Sequence, residues 1–141
     1  MAEVTRVRAG RAGDVRSCLE AQGRAEAAVA RAAYLTGGIP TPGLAAAVRD
    51  ADGDVLLIHE VAVRRGVADP ALAALVFAAA VDALGAGAGV VLCRPCPRTL
   101  SGAVLRQAAD RLALRSLPGG VRVADPGQVT VAGLDGEWDG H

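Results

Sequence analysis

Lysine and asparagine do not occur in this chain, and its only aromatic residues are Tyr34, Phe77 and Trp138. Each shortage removes a class of function. All 15 basic residues are arginines, 15 acidic residues offset them, and no basic cluster stands out. Nucleic-acid binding needs concentrated positive charge and, for single strands, stacking rings, so no nucleic-acid partner is expected. Long hydrophobic runs are missing too: the longest, Ala71 to Val81, is too short to span a bilayer, so no membrane partner is expected. The opening "MAEVTRVRAG" lacks the apolar stretch of a secretory signal, which makes a cytoplasmic location the expectation. Cysteine is scarce and odd in number, three in all, and fits reduced thiols better than a disulfide framework.

Alanine fills the space these absences leave, with 31 residues in a chain of 141 that is 52% apolar. That composition supports one core but not two. Alanine side chains bury little area each, at roughly 25 cal/mol per Å² removed from water, so modest stability is expected.

The alternation "VTRVR", Val4 to Arg8, predicts a short strand. Helical periodicity follows from Val15 to Leu35, with Glu20 and Arg24 spaced as a favourable pair and Gly23 placed to divide the stretch. "TGGIPTPG" is a loop. "LAAAV" and "VLLIHEVAV" flank "RDADGD", the pattern of a β-hairpin turning at Asp52-Gly53. Asp69 and Pro70 suit the N-cap and first position of a helix reaching Leu84. "GAGAG" leads from there into the strand "VVLC", and Leu100 to Leu114 reads as an amphipathic helix. "VRV" and "VTV" are expected as closing strands. The fold class is α/β (α+β mixed): a small mixed, partly parallel sheet flanked by helices. One domain over residues 1–131 and an acidic tail over 132–141 are expected.

"VAVRRGVADPALAALVF" carries strand, loop and helix without a gap. With the element order above, it resembles the acyl-CoA N-acyltransferase (GNAT) superfamily over about Val4 to Val131. In that family the loop's backbone amides seat the CoA pyrophosphate at a helix N-terminus, where exposed N–H groups and the helix dipole attract an anion. The resemblance implies acetyl-CoA or another acyl-CoA as cofactor. It places Val61, Val63, Gly66, Ala71 and Ala73 at cofactor-binding positions, with Glu60 as candidate base and His59 as a weaker one. Ala71 and Ala73 stand where the family has glycines. Asp69 and Pro70 depart from its pattern, because a carboxylate repels phosphate and proline has no amide to donate.

A second match is "SGAVLRQAADRLALRSLPG", similar to the family's last conserved helix. Ala109 stands where a tyrosine often protonates the departing thiolate, and Ala113-Leu114 replace a Gly-Phe pair. One or two strands that the family has before "LAAAV" are missing, and acceptor sites often lie there. Two functions therefore stand side by side. One is a pseudoenzyme that has lost efficient catalysis and serves as a binding or scaffolding subunit. The other is an active N-acyltransferase with an atypical pyrophosphate loop.

Apart from Asp82 the stretch 70–84 is apolar all round, and its surplus face should be covered by the first helices, by a second copy in a homodimer, or by another protein partner. "CRPC", Cys93 to Cys96, has the spacing and strand-to-helix placement of a thiol-redox pair, a minor alternative that Pro97 and the missing aromatic context oppose. No metal is expected, since Cys18, His59 and His141 are scattered. "DADGD" lacks the later glutamate of a calcium loop and reads as a solvated turn.

Overall fold

The structure is a computed structural model that describes residues 2–7, 15–61 and 70–129. Its centre is a strand–helix–strand unit. Strand β2 (Asp54–Val61) leads to helix α4 (Pro70–Leu84), and β3 (Ala88–Cys93) returns parallel to β2. The runs "VLLI" and "VVLC" make this possible. A strand covered on both faces needs an unbroken apolar run, not an alternating one.

Around this pair the sheet has the order β1-β2-β3-β5-β4. Strand β1 (Ala2–Val7) lies antiparallel to β2, while β5 (Val121–Ala124) and β4 (Arg115–Leu117) extend the other side, both pairings antiparallel. The sheet is mixed and partly parallel, as the sequence implies.

Strand alternation sorts the core into two halves. Val55, Leu57, Val90 and Leu92 pack with Leu19 of α1 (Val15–Glu20), Val29 of α2 (Arg24–Ala33) and Leu44 of α3 (Pro42–Ala47). Leu56, Ile58, Val91 and Cys93 pack with Phe77 of α4 and Leu105 of α5 (Leu100–Arg111). Helices thus cover both faces. Tyr34 is buried among the first group, and its hydroxyl has no hydrogen-bond partner among the described residues.

Three expectations need correction. "LAAAV" is not a strand: it falls in α3 and the residue after it, so β2 takes β1 as its antiparallel neighbour instead. Thr41 caps α3, accepting a hydrogen bond from Leu44 N at 3.2 Å, Pro42 occupies the first turn, and the alanines propagate it. Secondly, α1 and α2 do not cover α4, because they lie across the sheet from it. Helix α4 instead packs on α5 and the sheet, which leaves Ala79 and Leu84 exposed. Thirdly, of the closing strand "VTV" only Val129 is among the described residues; it is a bend, buried with the α4–α5 group. Strand β4 had no clear signal in sequence. Gly23 does divide α1 from α2, and the tail 132–141 lies outside the described residues.

Candidate functional site

Parallel strands end side by side, and the crevice beyond their carboxyl ends is where open α/β sheets hold ligands. At the carboxyl end of β3, beside Leu57, Ile58 and His59 of β2, lies a cleft of about 270 Å³. Its walls include Glu26 of α2, His59 of β2, Arg94 and Cys96 of the β3–α5 loop, and Thr99 and Ser101 at the start of α5. The crossover through α4 brings His59 of β2 beside the loop after β3, and α2 adds Glu26 from the other side of the sequence.

His59 sits at an irregularity. Glu60 pairs with Glu3 but Ile58 pairs with Val4, so His59 is an extra residue, a β-bulge in β2. Bulges re-aim side chains and are frequent beside active sites. His59 Nδ1 lies 3.8 Å from Glu26 Oε1, with the two side chains 21% and 19% exposed. At that distance the contact is electrostatic and not a hydrogen bond.

The two thiols of "CRPC" have opposite environments. Cys93 is buried in the α4–α5 half of the core, and burial pushes its thiol up to about 12 against the pull of the Arg122 charge. Cys96 is exposed, and its thiol is held below the ordinary value. The backbone N–H of Arg98 contributes most; the Thr99 hydroxyl and the charges of Arg98 and Arg94 add to it, against a smaller desolvation effect. A redox pair would require Cys93 to leave the core, so this placement speaks against that reading.

The loop carrying Cys96 is pressed onto α5. Thr99 caps the helix, accepting from Gly102 N at 2.9 Å. Gly102 is buried, and a Cβ there would collide with the carbonyl of Cys96. Only a residue without a side chain lets loop and helix approach this closely. Arg94 reaches the other way, its Nε donating to the carbonyl of Gly119 at 3.1 Å. With Arg106 and Arg122 it also lines an adjoining hollow of about 260 Å³.

Of the residues picked from sequence, His59 and Cys96 line the cleft with their described side chains. Glu60 and Val61 end β2, with backbones opposite Glu3 and Ala2, and their side chains are outside the described set. Val63 and Gly66 lie outside the described residues, with the rest of residues 62–69. Ala71 is half-buried; Ala73 is 1% exposed and packs in the core beside Phe77. Ala109 is fully buried in the same group. No group of three or more His, Cys, Asp or Glu that could hold a metal occurs among the described residues. No helix among them is long and apolar enough to cross a membrane.

No family model, curated protein or solved structure matches this chain. The site therefore rests on its own geometry. Sequence reasoning missed Glu26, because nothing local links it to a strand more than thirty residues away. It also passed over Thr99, although a threonine immediately before an amphipathic helix is a readable cap signal.

Proposed function

We propose that this chain is an acyl-transferring domain of the GNAT-like kind, working on an acyl thioester in the cleft at the carboxyl end of β3. One observation carries the reading: the bulged His59 faces Glu26 inside a cleft at the carboxyl end of β3, beside β2. Transfer to an amine requires a base, because the attacking nitrogen must shed a proton as the new bond forms. His59 takes that proton, with the Glu26 carboxylate 3.8 Å from its Nδ1.

Size supports a division of labour. About 270 Å³ admits an acyl group and a small amine but not a nucleotide. The phosphates of an acyl-CoA would lie outside the cleft, and Arg94 and Arg106 in the adjoining hollow offer guanidinium partners for them, beside Arg122, which Asp110 engages at 2.8 Å. This eases the difficulty that Asp69 and Pro70 pose for a pyrophosphate seat on the residues before Ala71.

The test is calorimetric titration with acetyl-CoA and with CoA at low salt, followed by an acetyl-transfer assay on small amines. Micromolar binding is expected, and His59→Ala should lower transfer by about 10²-fold or more with binding retained. Were Glu60 the base, Glu60→Gln would produce that loss and His59→Ala would not. Absence of binding by either ligand would end the acyl-CoA reading.

A second reading, a binding subunit without efficient catalysis, is favoured by Ala109. The position where the resembled family often has its acid is packed against the core, with no exposure. Binding without transfer to any amine would support that reading.

A further inference from the structure

We infer that Cys96 itself accepts the acyl group, so that transfer through this cleft passes by an S-acyl intermediate on the protein. The inference rests on the cleft being an acyl-transfer site and adds to it the identity of the nucleophile.

Three features single out this sulfur. Cys96 is the only one of the three cysteines that lines the cleft, since Cys93 faces the core and Cys18 belongs to α1. It is exposed, and its surroundings favour the thiolate: a backbone N–H from Arg98, the Thr99 hydroxyl and two guanidinium groups. The thiolate is the nucleophilic form, and the start of a helix combined with nearby cations is where reactive cysteines are found. Finally, the cleft already holds a base. His59, with Glu26 behind it, lines the same walls.

The chemistry balances without a redox partner. The Cys96 thiolate attacks the carbonyl carbon of an acyl thioester, the carbon–sulfur bond of the donor breaks, and the donor thiolate leaves. That thiolate takes up the proton that Cys96 lost, directly or through His59. One thioester replaces another, so no oxidant, reductant or nucleotide hydrolysis is required. In the second half an amine attacks the Cys96 thioester, His59 takes the proton from nitrogen, and the Cys96 thiolate is restored. Donor and acceptor then occupy the cleft in turn, which suits its small volume.

The test uses the full chain with two donors, acetyl-CoA and the acetyl thioester of N-acetylcysteamine, which carries no nucleotide. Acid-quenched samples are read by intact and peptide mass spectrometry. The expected result is a single acetyl group on Cys96, released by neutral hydroxylamine and absent in Cys96→Ala. His59→Gln should slow its appearance about tenfold or more while leaving the thermal midpoint unchanged. Separately, iodoacetamide should alkylate Cys96 with a rate midpoint below the ordinary thiol value of about 8.5. Acetyl-CoA that binds without leaving an acetyl group on Cys96, from it or from the small donor, would overturn the inference and leave the proposed function standing. Labelling of Cys96 by the small donor without acetyl-CoA binding would uphold the inference and remove CoA as the cofactor. Equal labelling of Cys18 and Cys96 would also overturn it.

Discussion

Ala113 adopts φ 58°, the one described non-glycine residue with positive φ. It follows the Leu112 cap of α5, and its left-handed turn lets Leu114 N donate back to Ala109 O at 3.0 Å. A side chain in this region costs roughly 1–2 kcal/mol, while glycine loses about 0.5–1 kcal/mol of its extra freedom on folding. Ala113→Gly should therefore raise stability by up to about 1 kcal/mol, read as a shift in the urea midpoint at unchanged slope. An unchanged or lower midpoint would mean that the turn is not strained by its Cβ. At this scale sequence was informative about identity and poor about environment. Cys93 and Cys96 look alike in "CRPC", yet strand alternation turns Cys93 into the core and the chain leaves the sheet before Cys96. His59 was visible as a polar residue in an apolar run; its carboxylate partner was not, because that contact depends on α2 lying across β2.

Element boundaries obeyed capping chemistry more closely than apolar pattern. Helix α3 shows this: "TPGLAAA" contains a cap, a first-turn proline and good helix formers, and those local signals outweigh a hairpin-like "DG" downstream. The parallel unit was legible because its strands are continuously apolar and its helix has a clear beginning. The short β4 was not, since three residues with two exposed side chains carry no periodic signal. Helix α5 gives the sharper test at this scale. Alanine is about 1 kcal/mol better than glycine inside a helix, so propensity alone makes Gly102→Ala stabilising. The close approach to the Cys96 carbonyl reverses that sign. A net loss of about 1–3 kcal/mol is expected, as for other overpacked sites. The alkylation rate of Cys96 should change with it, because the thiol-bearing loop is what must move. A raised thermal midpoint with unaltered alkylation would show that the contact yields freely.

In the molecule as a whole, the sheet keeps the two halves of the core apart, and polar ties join described segments that are distant in sequence. Asp125 is one. Its Oδ2 accepts from Arg49 N and its Oδ1 from Gly127 N, each at 2.9 Å, which fastens the segment after α3 to the end of β5. The Arg49 N–H is the largest cause of a carboxyl held below its usual value, with the Gly127 N–H and the Arg49 charge adding to it. A folded-state value below the unfolded one means stability present in full above the unfolded value, about 3.9, and lost as pH falls through the folded value. Asp125→Asn should therefore lower the thermal midpoint at neutral pH, and the gap should narrow as the pH falls below about 3.9. A gap that stays constant with pH would mean that the carboxylate's charge plays no part. The sequence alone could not reveal this tie or the pairing of β1 with β2, since both depend on where distant segments meet.

That pairing has a consequence in time. β1 joins β2 through contacts such as Ala2 with Val61, so it leaves the ribosome about fifty residues ahead of the strand it needs. At roughly 5–20 residues per second, the interval is several seconds. During it α1 and α2 can form turns, but the sheet face they cover does not yet exist. The first third of the chain must stay unaggregated as an open strand and three small helices until β2 emerges. The scarcity of bulky side chains there, in a segment made largely of alanine, glycine and arginine, keeps that waiting period safe.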